Sequence, residues 1–143
     1  MKVLGILVSA LFLLGCSADD DKSINGKWYT YAESGDYMEL WISDDKAMTY
    51  LSGIDEFLLY ELKQERNTLS FSLIESRITD EHQFTLEVKE SNDELFQAVF
   101  IGSDRVDSLK TYFLVSNEVP SLGSSLEANK QNRIELIRGM QDR

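Results

Sequence analysis

The side chain best suited to acid–base chemistry is His82, the only imidazole in the chain. Asp80 and Glu81 precede it, and Phe84 shares its expected strand face. A catalytic base needs a nucleophile and an orienting acid within reach, and the chain has no Gly-x-Ser-x-Gly nucleophile motif. We therefore interpret His82 as a residue at the rim of the fold, and we expect that the protein is not an enzyme.

Adjacent carboxylates are the next candidates, and the pairs lie in or beside expected turns: Asp44-Asp45, Asp55-Glu56 and Asp93-Glu94. Acidic pairs in turns are usually solvated, whereas glycosidase carboxylates flank a substrate cleft. One His and one Cys exclude multi-His and Cys-cluster metal sites. We expect no catalytic residue, no metal and no cofactor.

Chain length and net charge limit the number of domains and the kinds of partner. The chain has 143 residues, which favours one domain. It carries 14 basic and 25 acidic side chains, for a net charge of −11. Binding to nucleic acid needs clustered Lys and Arg, so no nucleic-acid partner is expected. The single Cys16 also excludes an intrachain disulfide.

The segment that precedes Cys16 indicates why the chain has a single cysteine. Lys2 is followed by a short apolar run, which ends in Leu13-Leu14-Gly15-Cys16. The run is shorter than the roughly 20 residues that cross a bilayer. The pattern apolar, apolar, small, Cys resembles the lipobox of bacterial lipoproteins. That resemblance implies a signal peptide over residues 1–15, cleavage after Gly15, and acylation of Cys16, with palmitate among the acyl chains, as the link to the membrane.

The residues after the cysteine indicate where the protein is sorted. Ser17 stands where Asp commonly retains lipoproteins in the inner membrane, so the resemblance implies an outer-membrane lipoprotein, periplasmic or surface-exposed. The acidic run at residues 19–21 is similar to the export tether of Bacteroidetes surface lipoproteins. Residues 16–23 are thus expected to comprise the acylated Cys16 and a flexible tether. The simpler alternative is that residues 17–23 are only a solvated spacer.

Residues 24–118 predict an antiparallel barrel. Apolar residues recur at every second position in short runs, with turn residues between them. The predicted strands are 27–31, 37–43, 47–51, 57–65, 68–76, 82–90, 95–102 and 110–116. Short connections join antiparallel neighbours. We predict a mainly β fold, an up-and-down barrel of about eight strands, with a partly open barrel or a sandwich as alternatives.

The C-terminal residues 119–143 predict a loop and a helix that packs on the barrel, with a helix that docks a partner as the alternative. Ser124 and Glu127 form an S-x-x-E capping box. Ile134, Leu136, Ile137 and Met140 are expected on one face of this helix.

Aromatic residues are numerous, and a Tyr or Trp suits a ligand-binding mouth or an interface because it is apolar with a polar end. Ordinary packing is the alternative. The candidate ligand or partner contacts are Tyr31, Tyr37, Trp41, Tyr50, Tyr60 and His82.

The start of the first strand, with Gly26, Trp28 and Tyr29, resembles the lipocalins. In that fold the Trp fills one end of an eight-stranded barrel, and the Gly lets the chain pass close to it. The middle of the chain is also similar to small lipocalin-like lipoproteins of Bacteroidetes. The sequence departs from the lipocalin pattern at Tyr31, which stands where lipocalins favour a smaller apolar residue. It departs again after the last strand, where the Arg that stacks on the Trp is absent, although Arg133 or Arg138 could replace it.

Two functions remain open. The first is a lipid-anchored, lipocalin-like module that binds a small apolar ligand in the barrel. The second is an acidic interaction module, of the inhibitor or immunity type, that neutralises a cationic partner protein. This second hypothesis predicts a barrel filled by its own side chains and a protruding acidic loop with an aromatic residue, at 32–37 or 53–57.

Overall fold

The computed structural model describes residues 23–80, 83–102 and 106–141, except for the side chain of Met140. Eight strands precede one helix. The strands are β1 (Gly26–Tyr31), β2 (Tyr37–Ser43), β3 (Lys46–Leu51), β4 (Glu56–Glu65), β5 (Thr68–Glu75), β6 (Gln83–Ser91), β7 (Leu95–Ile101) and β8 (Val106–Ser116), and the helix is α1 (Lys130–Gln141). Each strand pairs antiparallel with the next, and β8 pairs with β1 to close the barrel. The predicted eight-stranded antiparallel barrel with one C-terminal helix is confirmed.

The short turns follow from local chemistry. Asp44, Asp55 and Arg66 adopt positive φ angles of 37°, 51° and 51° in the tight connections after β2, β3 and β4. The strand β8 begins at Val106, four residues earlier than predicted. Its pairing with β7 is interrupted by a bulge between Val99 and Ile101. A bulge shifts the alternation of faces, which hides the start of the strand in the sequence.

The barrel interior is filled at the end where the chain enters, and we call this the closed end. The Trp28 ring contacts Phe96 edge-on, with ring centroids 4.9 Å apart, and its indole N–H donates to the carbonyl of Ile24 at 3.1 Å. A Cβ atom on Gly26 would lie only 3.0 Å from the Trp28 Nε1 atom. Only glycine therefore lets the entering chain pass this close to the indole.

A second apolar cluster lies outside the barrel, beneath the C-terminal residues. The outer faces of β2, β3 and β4 contribute Trp41, Met48, Tyr50, Phe57 and Leu59, and the C-terminal segment contributes Leu122, Leu126 and Leu136. Two cations fasten the helix to this face. The Arg133 guanidinium lies 4.7 Å from the Phe57 ring centre, and Lys27 lies 4.1 Å from the Trp41 ring centre while pairing with Glu135 at 3.5 Å.

The arginine expected over Trp28 is not found there. Trp28 lies inside the barrel, whereas α1 packs on the outer face, so Arg133 stacks on Phe57 instead. The expectation for Arg133 was therefore wrong, because it assumed that the helix covers an end of the barrel.

The start and the buried face of the helix also differ from the prediction. The helix begins at Lys130, and Ser125 accepts a hydrogen bond from the Ala128 N–H at 3.0 Å within the preceding turns. Leu122 and Leu126 are buried against the barrel, so this segment wraps around the surface as turns instead of starting the helix. Ile134 and Ile137 are exposed, while Asn132 and Leu136 form the buried face of the helix, and Asn129 is buried just before it.

Candidate functional site

The barrel interior contains a cavity of about 310 Å³ at the end opposite Trp28, which we call the open end. Small-molecule sites occupy about 300–1,000 Å³, so this cavity suits a ligand of modest size. Inward-facing residues of seven strands, β2 to β8, line it. The apolar ones are Met38, Leu40, Leu51, Leu58, Tyr60, Phe71, Phe84, Leu86, Phe100 and Tyr112.

A ladder of aromatic rings forms one wall. The rings of Phe71 and Phe84 are stacked with centroids 4.4 Å apart, and Phe84 stacks on Phe100 at 4.9 Å. Tyr60 meets Phe71 and Phe84 edge-on at 5.7 Å and 5.3 Å. Each of the four rings lies on the inward face of its own strand, from β4 to β7, so all four side chains point into the barrel. The result is a preformed apolar wall with a phenol on it.

The mouth of the cavity is bordered by connections. Ile78 and Thr79, between β5 and β6, line the cavity, and Ile78 is exposed. A neighbouring space of about 240 Å³ lies between the connections that follow β1 and β3, and it shares Met38 and Leu51 with the cavity. The open end is thus a recess between loops, where loops can adapt to a ligand.

Few polar side chains point into the cavity. Thr49 lies between Leu40 and Leu58 in the sheet, and Lys110 and Asp107 lie on β8. Tyr112 stacks on Phe96 at 4.5 Å. Burial, together with the negative charge of Asp107, raises the pKa of Tyr112 to about 12. Its phenol therefore stays protonated and can donate a hydrogen bond over the physiological pH range.

Of the aromatic residues predicted as contacts, the structure places Tyr60 in the cavity wall. Trp41 and Tyr50 face the opposite way and are buried under α1 and the segment before it. Tyr50 donates a hydrogen bond to Asp55 at 2.7 Å, and burial and this bond raise the pKa of Tyr50 to about 12. The difference follows from strand alternation, since Thr49 and not Tyr50 faces inward on β3.

Tyr31 and Tyr37 lie on the outer surface. Together with Tyr29 and Phe113 they form an outer aromatic patch, in which neighbouring ring centroids are 5.4–6.2 Å apart. Tyr31 is 54% exposed. The acidic connection between β1 and β2, with Glu33 and Asp36, lies next to this patch. Gly26 and Trp28 lie at the closed end, and Gly15, Cys16 and His82 lie outside the described residues.

Lys110 and Asp107 line the cavity but are not among the contacts predicted from the sequence. A signal for Lys110 was available, because Lys110, Tyr112 and Leu114 share one face of a predicted strand. For Asp107 no such signal existed, since the strand was predicted to begin after it.

Comparisons of the chain with models of protein families, with curated proteins and with solved structures find no match. In the part of the chain that the structure describes, no three His, Cys, Asp or Glu side chains come together as a metal site would require. No helix among the described residues has the length and apolar character needed to cross a membrane.

The raised pKa of Tyr112 predicts an alkaline loss of stability. The folded protein holds this proton more tightly than the unfolded chain, whose tyrosines have a pKa near 10.0. The stabilisation is complete below pH 10 and is lost as the pH rises through about 12. Between pH 9 and pH 11, the free energy of unfolding in urea should fall by about 1.3 kcal/mol more for the wild type than for Tyr112→Phe. Equal losses in both proteins would show that Tyr112 is not held in this environment.

Proposed function

We propose that this protein is a non-catalytic lipoprotein with a lipocalin-like barrel, which binds one small apolar ligand and is anchored in the outer membrane through lipid on Cys16. The observation that carries the binding role is the cavity of about 310 Å³ inside the closed barrel. An eight-stranded barrel is either filled by its own side chains or holds one small ligand. The unfilled volume at the open end favours the second case.

The composition of the cavity supports an apolar ligand. Its wall carries the stacked rings of Phe71, Phe84 and Phe100, with only a few polar groups beside them. Sites of this kind gain affinity from buried apolar surface and orientation from a small number of polar groups. Trp28 fills the opposite end, so the ligand enters between the loops of the open end.

The anchor rests on the sequence alone. Cys16 follows an apolar segment in a lipobox-like context, and Ser17 favours the outer membrane over the inner one. Because the net charge of −11 would repel anionic headgroups, lipid and not an amphipathic surface would hold the protein at the membrane.

Both described hydrophobic clusters lie between Ile24 and Leu136. A protein that starts at residue 17 therefore retains the whole described core and can be used for binding measurements. A cooperative thermal transition and a β-type circular dichroism spectrum would verify that each preparation is folded.

Filling the cavity should abolish ligand binding. Thr49→Trp places an indole among Leu40, Leu58 and the other inward residues, where it occupies the volume that the ligand would use. With the neutral fluorescent probe N-phenyl-1-naphthylamine, we expect a saturable rise in fluorescence for the wild type. For Thr49→Trp we expect binding at least about tenfold weaker, a loss of about 1.4 kcal/mol.

The matched control is Thr85→Trp, which places the same residue on the barrel exterior. Thr85 lies between the inward residues Phe84 and Leu86 on β6, so its side chain points outward. The affinity of Thr85→Trp for the probe should stay within about twofold of the wild-type value. Unchanged binding in a folded Thr49→Trp protein would place the probe elsewhere and would contradict the proposed site.

The anchor has a separate test. In a bacterial host grown with labelled palmitate, the wild-type chain should incorporate label and lose residues 1–15. Cys16→Ser should do neither, because the hydroxyl does not replace the acylated thiol. Ser17→Ala should behave as the wild type in both respects, and a labelled Cys16→Ser protein would contradict attachment at this residue.

The outer aromatic patch favours the second candidate, an inhibitor-type or immunity-type module for a cationic partner. Tyr31 is 54% exposed, and Glu33 and Asp36 lie in the adjacent connection. Exposed aromatic residues near acidic ones suit a basic protein surface. Saturable binding to a basic protein such as a lysozyme, weakened by Tyr31→Ser and unaffected by Thr49→Trp, would favour this role over ligand binding.

A further inference from the structure

We propose that Lys110 selects ligands that carry one anionic head on an apolar body, with alkyl or aryl carboxylates as the class. This inference rests on the proposed binding function and adds the chemical class of the ligand. Three features of Lys110 support this role: its side chain points into the barrel, no described carboxylate pairs with it, and it lines the cavity.

The side chain of Lys110 points into the barrel. Lys110 lies directly across from Ala98, which is buried in the inner core. Residues directly opposite in an antiparallel pair project on the same face of the sheet. Tyr112, two residues further along β8, is also part of the inner core. Lys110 is half-buried and lines the cavity beside Tyr112.

Lys110 differs from every other lysine that the structure describes. The other five each lie 2.6–3.8 Å from a carboxylate oxygen: Lys27, Lys46, Lys63, Lys89 and Lys130. Among the described residues, no carboxylate forms an ion pair with Lys110. The other five lysines are thus paired, and Lys27 and Lys46 are partly buried as Lys110 is, so the lack of a partner and not burial alone distinguishes Lys110.

An unpaired ammonium group in an apolar recess is costly, because burial removes part of its hydration. A bound anion would compensate for this loss with a charge-assisted hydrogen bond. The phenol of Tyr112 lines the same cavity and is protonated at neutral pH, so it can donate a second bond to an oxygen of that anion. The aromatic wall of Phe71, Phe84 and Phe100 would cover the apolar body.

Asp107 is the opposing charge in the cavity. It already interacts with another group of the protein, and its charge acts on Tyr112. A dianionic head would meet stronger repulsion from this carboxylate than a monoanionic head. Because Lys110 and Asp107 line the same cavity, a single negative charge is favoured, as in a carboxylate.

The test compares three ligands with the same ten-carbon chain and different heads: decanoate, 1-decanol and decylamine. Each displaces N-phenyl-1-naphthylamine from the protein that starts at residue 17, at pH 7.5 and below the micelle concentration of the ligand. For the wild type we expect decanoate to bind about tenfold more tightly than decanol, and decylamine to bind most weakly.

Substitution of Lys110 separates charge from packing. Lys110→Met keeps an apolar stem of similar length, so it should remove the preference for decanoate and leave the affinity for decanol within about twofold. Lys110→Arg should restore most of the preference. Lys89→Met removes a surface lysine that pairs with Glu87, and should change nothing.

The outcomes distinguish the two proposals. If decanol and the probe bind but decanoate binds no better, or if Lys110→Met keeps the preference, the role of Lys110 is wrong and the apolar site stands. If neither the probe nor any of the three ligands binds to the folded wild type, both the binding function and the role of Lys110 are wrong.

Discussion

Closure of the barrel between β1 and β8 is the constraint on which the rest of the structure depends. The two strands pair through Trp28–Leu114 and Tyr29–Phe113, and the Thr30 hydroxyl donates to the Thr111 carbonyl at 2.8 Å. Closure converts the alternation of eight strands into an inside and an outside. It also pairs the strand edges that would otherwise be open to other chains. The cavity exists only because of this pairing, and its position is fixed by Trp28, which fills the opposite end.

The two faces of the sheet have different tasks. Inside, Trp28 and Phe96 pack the closed end, while the residues at the open end surround a space that they do not fill. Outside, α1 and the segment before it cover β2, β3 and β4, and Arg133 and Lys27 bind the helix to their aromatic rings. This cluster packs on the outside of the same wall whose inner side carries Thr49 and Leu58. The outer aromatic patch lies on β1, β8 and the first residue of β2.

Local signals made the strands and turns predictable. Alternation in Leu69, Phe71 and Leu73 identifies β5 and its inward face, and Asp44 and Arg66 fit tight turns. Which face of the helix is buried could not be predicted from local sequence, because it is decided by contact with the barrel. Leu136 is buried while the equally apolar Ile137 is not. The sequence does contain a signal that Trp41 is covered on the outer face of the barrel. The uninterrupted apolar run Leu40-Trp41-Ile42 is typical of a strand covered on both sides. The role of Lys110 needed the structure, because lack of a partner cannot be inferred from a sequence.

The central claim is that the barrel interior holds a small molecule at its open end. The most direct measurement is native mass spectrometry of residues 17–143, secreted without the anchor by the cells that make the protein and purified without detergent or denaturant. The account predicts a second mass that exceeds the chain by one small molecule and is absent from Thr49→Trp. A bare chain mass for the wild type, or an added mass that persists in Thr49→Trp, would contradict it.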